Sequence, residues 1–174
     1  MKAKTFWKTV VADRSNFLDR VVDLLERNGI RYCVIGGQAV NAYAEPLVSL
    51  DLDIAVALDQ VGKAEELMRE NFRVERFPFS INVSAEGSSL RLQLQTDPRY
   101  AAFVERAVVR EVLGVSLPVA GAADVLQGKV WTASDETRRP TKRSKDLLDI
   151  ARLLETEPGL RDQVPAEILD KLPR

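Results

Sequence analysis

The feature that most constrains this chain is the run Tyr32-Cys33-Val34-Ile35, which stops at Gly36-Gly37 and is followed thirteen residues later by Asp51-Leu52-Asp53-Ile54. The β-branched and aromatic run reads as a strand, the glycines as a tight turn, and Gln38 to Ala44 as a helix. Glycines at such a junction let a ligand approach the backbone closely, and the free N–H groups and positive dipole end of the helix suit phosphate. In the second run, alternation places Leu50, Leu52, Ile54 and Val56 on one face and Asp51, Asp53, Ala55 and Ala57 on the other. The two carboxylates therefore point the same way, roughly 6.5–7 Å apart along the backbone, with small side chains leaving room beside them. Flexing side chains at that spacing can converge on one divalent cation or a pair, and hard oxygen donors suit Mg²⁺ or Mn²⁺ rather than zinc. The competing reading is a solvated polar face of an edge strand, a place where aspartate is a poor choice.

Composition narrows the chemistry further. The 174 residues contain no histidine, which removes Ser-His-Asp and Cys-His mechanisms, most zinc sites and histidine general bases together. Catalysis in such a chain rests on carboxylates, lysines, arginines and metal. No GxxxxGK[ST] loop or GxGxxG fingerprint occurs, so a P-loop or dinucleotide-binding site has no support. A net charge of -1 argues against a globally basic nucleic-acid surface. The single cysteine, Cys33, lies in an apolar strand and reads as a small core residue, which fits a reducing cytoplasm. Neither a signal-peptide core nor about 18 consecutive apolar residues occurs, so the expectation is a soluble cytoplasmic protein without a membrane partner.

Taken in order, Ser15 to Asn28 carries Phe17, Leu18, Val21, Val22, Leu24 and Leu25 at helical spacing before an Asn-Gly stop. The glycine-turn helix ends near Glu45-Pro46. Asp59 can cap a helix to Asn71, and Phe72 to Val83, interrupted by Pro78, reads as one or two edge strands. Leu90 to Gln95 alternates as a strand with Arg91, Gln93 and Gln95 on its polar face. Asp97 continues that parity as a candidate third acid, but Asp97-Pro98 reads better as the cap and first position of a helix over 99–108. Val108 to Val119, broken by Gly114, reads as a hairpin or two short strands, and Ala122 to Ala133 as a helix. A basic loop, Arg138 to Lys145, leads into a helix over 142–155, and Pro165 begins a short last helix. That loop is either a solvated connection or a clamp on nucleotide phosphates or an RNA acceptor. One domain is expected, with core sheet and helices over about 30–119 and a helical part over about 120–174.

The Gly36-Gly37 turn and Asp51-Leu52-Asp53-Ile54 together resemble the signature of the DNA polymerase β type nucleotidyltransferase superfamily: hydrophobic-Gly-[Gly/Ser], a short helix, then Asp-hydrophobic-[Asp/Glu]-hydrophobic. Lys129, followed by Lys145-Asp146-Leu147-Leu148-Asp149-Ile150-Ala151-Arg152-Leu153, resembles most closely the AbiEii-like, abortive-infection toxin type, so the resemblance spans most of residues 30 to 155. It implies an α+β fold, a small mixed β-sheet flanked by helices with C-terminal helices, and transfer of a nucleoside monophosphate from a triphosphate to a hydroxyl acceptor. Asp51 and Asp53 would hold Mg²⁺ (or Mn²⁺), Gly36, Gly37 and Ser49 would seat the nucleotide, and Lys129 and Asp146 would line its cleft unless they are ordinary solvated helix positions. The acceptor is an RNA, a protein or a small molecule. Two alternatives accompany this reading, a nucleotide-binding module with weak chemistry and a toxin modifying tRNA or protein beside an antitoxin partner. The sequence departs from the pattern at Leu47, where relatives often carry arginine, and at Gln93 and Gln95, where a neighbouring strand usually supplies the third carboxylate. A glutamine offers a carbonyl oxygen but cannot act as a general base.

Overall fold

The computed structural model describes residues 15–173. Helix α1 (Phe17–Arg27) is amphipathic, burying Phe17, Leu18, Val21 and Leu25, and delivers the chain to β1 (Tyr32–Ile35). Helix α2 (Gly36–Asn41) follows without a linker, starting at the glycines themselves rather than at Gln38. It also stops short of Ala44, because the N–H groups of Ala42 to Ala44 close turns onto Ala39 and Val40 instead of extending the helix. After β2 (Asp51–Val56), a short 3₁₀ turn enters α3 (Val61–Asn71), whose end is fixed by an edge-to-face contact between Phe72 and Phe17 at 5.0 Å.

Strands β3 (Arg73–Phe77), β4 (Ser80–Ser84) and β5 (Arg91–Gln95) come next. The 99–108 helix is replaced by a 3₁₀ turn, Pro98–Tyr100, and a short α4 (Ala101–Glu105). Strands β6 (Val108–Val112) and β7 (Val115–Val119) form the expected hairpin. Its two-residue turn places Leu113 and Gly114 at φ 55° and 77°, the backbone that suits the twist of a tight hairpin. Helix α5 (Ala122–Ser134) and helix α6 (Pro140–Thr156) pack on each other, and a 3₁₀ turn leads to a last short helix, α7 (Ala166–Leu169). Proline at the first helical position starts α6 two residues before Lys142. Lys142, Arg143 and Lys145 therefore lie on helical turns, and only Arg138 and Arg139 remain in the connection.

The seven strands make one mixed sheet in the order β3-β4-β5-β2-β1-β7-β6. Leu52, Ile54, Leu92, Leu94, Ile81 and Val83 form a buried face that shares one core with α1 and α3. Ladder partners point to the same side of a sheet, so Asp51, Asp53, Arg91, Gln93 and Asn82 share the opposite face. That face is covered near β1 and β2 by α4 and is open across β5 and β4, where Arg91 and Asn82 are exposed. The sheet thus places the acid pair where a covered region meets an open one. Among the described residues, no helix is long and apolar enough to cross a membrane.

Candidate active site

Strand β2 lies between β1 and β5, antiparallel to the first and parallel to the second, with Ile35 opposite Asp53 on one side and Gln93 opposite it on the other. The chain leaves β1 at Gly36 with φ +68°, and a Cβ placed there would stand 2.4 Å from Asp53 Oδ2. Gly36 is therefore needed twice, for a left-handed backbone and for room beside a carboxylate. A Cβ on Gly37 would meet nothing within 4 Å, which leaves space in front of the first turn of α2.

Asp53 borders a cavity of about 100 Å³ that Gly36, Gln93, Gln95, Lys129 and Asp146 also line. Burial pushes the Asp53 carboxyl up to about 6, with the Lys129 ammonium opposing the rise, Asp51 adding to it, and Arg138 and Lys142 opposing it more weakly. Asp51, at the same face two residues earlier, is paired across the ladder with Arg91, whose Nε lies 2.7 Å from its Oδ1. Ser49 shapes the entry to β2: its Oγ accepts the N–H of Asp51 at 3.2 Å and its carbonyl accepts Gln38 Nε2 at 3.1 Å.

The far wall is a buried ion network. Lys129 Nζ reaches Asp146 Oδ1 at 3.1 Å and Asp149 Oδ2 at 2.8 Å. Arg138 Nε binds the other oxygen of Asp146 at 2.7 Å, and Arg152 binds Asp149 at 2.8 Å. Burial alone would push the Lys129 ammonium down, but Asp149 and Asp146 outweigh it and hold it above the ordinary lysine value. Arg152 also donates to Asn41 Oδ1 at 2.8 Å and to the carbonyl of Glu45, while Asn41 clasps Leu47 through both its N–H and C=O. The network thereby ties α6 to the end of the glycine-turn helix.

Of the residues the sequence singles out, Gly36, Asp53, Lys129 and Asp146 meet at one cavity, and Lys129 and Asp146 are buried partners rather than solvated positions. Gly37, Ser49 and Asp51 adjoin the cavity without lining it. Asp97 is the helix cap: Oδ1 accepts the Arg99 N–H at 3.0 Å, and Oδ2 takes the Arg99 guanidinium at 2.9 and 2.7 Å. These bonds hold its carboxyl below the usual range against a smaller effect of burial. Sequence reading gives no partner for Arg91, Arg138 or Arg152 and passes over Asn41 and Asp124. Only ladder register brings Arg91 to Asp51.

The donors present decide whether a divalent cation suits this site. Among the described residues, no group of three His, Cys, Asp or Glu side chains converges as a metal site. Mg²⁺, however, usually keeps several waters and takes one or two carboxylates plus substrate phosphates, and Asp51 and Asp53 supply that set. Gln93 donates its amide to Asn82 Oδ1 at 3.1 Å, which leaves its carbonyl oxygen as a neutral donor beside Asp53. The two carboxylates fit a hydrated divalent cation rather than one enclosed by protein ligands.

The sequence matches no protein-family model and no curated protein. Solved structures do match. The antibiotic-resistance factor ANT(2'')-Ia, in complex with adenylyl-2''-tobramycin, superposes with a TM-score of 0.60 at 12% identity, over 90% of this chain and 97% of that one. The lincosamide antibiotic adenylyltransferase LnuA, lincomycin-bound, superposes with a TM-score of 0.52 at 15% identity, over 80% and 95%. A nucleotidyltransferase-like protein from Paracoccidioides brasiliensis gives 0.50 at 15% identity, over 86% and 75%. The chain has the nucleotidyltransferase-like fold, a mixed sheet flanked by helices with further helices at its C-terminal end.

Proposed function

We propose that this chain binds a nucleoside triphosphate with Mg²⁺ at the cavity that Gly36 and Asp53 line together and transfers its nucleoside monophosphate to an acceptor oxygen. The observation that carries the reading is the contact between the glycine turn and Asp53, with Asp51 two residues away on the same face and Lys129, Arg138 and Lys142 acting on Asp53. The open space before Gly37 and the first N–H groups of α2 would receive phosphate oxygens. Asp51 and Asp53 would hold the cation, which supplies charge neutralisation at the phosphates when bound. Lys129 and Arg138 would add fixed positive charge at the far wall, so the chain's contribution is positioning and electrostatic work rather than covalent catalysis. The fold shared with an adenylyltransferase supports this reading.

Calorimetric titration with ATP, GTP, CTP and UTP, with Mg²⁺ and with EDTA, tests it. Mg²⁺-dependent binding in the parent and its loss in the Asp51→Asn/Asp53→Asn double variant are expected. Equal affinity in both proteins would refute the assignment of the acid pair. Gln93 opposite Asp53 favours a second reading, a nucleotide-binding module with weak chemistry, in which triphosphate binds with Mg²⁺ but pyrophosphate release is slow with every acceptor offered. The narrower reading as an AbiEii-like toxin with an antitoxin partner rests on Lys129 and the Lys145-to-Leu153 run. Growth arrest on expression of the parent but not of the double variant would support it.

A further inference from the structure

A carboxylate census of the cavity points to the kind of acceptor. Asp124 lines it but is held by Arg106 through two bonds of 2.9 and 2.8 Å. Asp146 is held by Lys129 and Arg138. Asp97 is spent on Arg99, and the Gln95 carbonyl oxygen accepts the Asp97 N–H at 3.1 Å. Among the described carboxylates at the cavity only the acid pair itself is left, and in the proposed function both of its members carry the cation. The position on β5 beside Asp53 holds Gln93, which cannot take a proton. A hydroxyl acceptor needs a proton removed as it attacks; this site has no group assigned to remove it.

The strand order gives the two sides of the reaction different characters. The glycine turn and the Lys129 network lie on the β1 side of Asp53, which is the triphosphate side of the proposed function. The β5 side is open to solvent and carries Arg91, whose side chain is 69% exposed and whose Nε lies 2.7 Å from Asp51 Oδ1. Arginine has five N–H donors in a planar fork that matches phosphate, and the exposure of this side chain leaves the fork accessible to a ligand arriving from that side. An arginine beside two aspartates and a bound triphosphate is what an anionic acceptor requires, because without it like charges would keep the acceptor out.

Resting on the proposed function, we infer that the acceptor is a phosphate group, docked by Arg91 and attacking without any general base. A phosphate oxygen is already ionised at neutral pH. Its lone pair forms the new bond to the α-phosphorus, the bond from that phosphorus to the α,β-bridging oxygen breaks, and the electron pair leaves with pyrophosphate. No proton changes hands. With inorganic phosphate as the smallest acceptor, the products are a nucleoside diphosphate and pyrophosphate.

Radiolabelled inorganic phosphate tests this directly, since label enters the nucleoside diphosphate only by transfer and not by triphosphate hydrolysis. The full chain is incubated with Mg²⁺, labelled phosphate and each of the four nucleoside triphosphates. Expected are labelled diphosphate from at least one triphosphate, and a loss of at least tenfold in Arg91→Gln, seen mainly as a raised KM for phosphate with triphosphate binding retained by calorimetry. Glycerol 3-phosphate is expected to accept label from an α-labelled triphosphate at least tenfold better than glycerol. Triphosphate binding with no transfer to phosphate, or equal transfer to glycerol, overturns the inference and leaves the proposed function standing. Absence of Mg²⁺-dependent triphosphate binding overturns both.

Discussion

Replacing Gly36 with alanine is the sharpest structural test of the site. At φ +68° a non-glycine residue carries a penalty of about 1 kcal/mol. The new Cβ would also lie 2.4 Å from Asp53 Oδ2 and 3.2 Å from Asp53 Cβ and Cγ, so swinging the carboxylate oxygen aside does not relieve the clash. Ordinary contact needs roughly 1 Å more. Asp53 is held in ladders on both sides by β1 and β5, so its side chain must leave its rotamer well at a cost of about 0.5–1.5 kcal/mol. Together these give about 1.5–2.5 kcal/mol, which for a chain of this length corresponds to a fall in Tm of about 3–10 °C. Gly37→Ala is the matched control: its Cβ meets nothing within 4 Å, and a helical glycine replaced by alanine gains up to about 1 kcal/mol. Thermal melts of the three proteins decide it. If Gly36→Ala melts within about a degree of Gly37→Ala, the close approach of the turn to Asp53 is not a constraint and the reasoning fails.

Three further outcomes follow from the same geometry. Lys129→Met leaves Asp146 and Asp149 in the interior with only Arg138 and Arg152 as partners, so urea unfolding should show a loss of about 3 kcal/mol; a loss below about 1 kcal/mol would show that the two arginines suffice. Asp97→Ala should cost about 1 kcal/mol in the same assay and Asp97→Ser much less, with triphosphate turnover equal in both, because Asp97 acts as a cap; turnover lost in the folded serine variant would make it the third acid. Burial, with a smaller contribution from Asp124, pushes the Cys33 thiol up to about 12, so thiolate appears only as pH rises toward that value. Iodoacetamide at pH 8 should therefore leave native Cys33 unmodified and label it in proportion to unfolding, whereas rapid labelling of the native protein by mass spectrometry would contradict its burial.

What the sequence determined by itself was local. Period and punctuation identified α1, the hairpin of β6 and β7, and the strand carrying Asp51 and Asp53, because alternation and helical spacing are properties of short windows. The strand–turn–helix at Gly36 was equally legible, though not which glycine is constrained: φ and the distance to Asp53 depend on how β1 pairs with β2. Polar residues at helical or strand spacing carry no mark of their partners, so Lys129 and Asp146 read equally as solvated positions until α5 and α6 packed together and buried them. Asp97 shows the opposite case, where a two-residue signal, Asp-Pro, already contained the cap that the fold adopts. Arg91 was decided by tertiary structure alone. Forty residues separate it from Asp51, and only the parallel register of β2 and β5 brings a guanidinium to that carboxylate, since strand pairing is set by the burial of whole faces rather than by any residue within the strand.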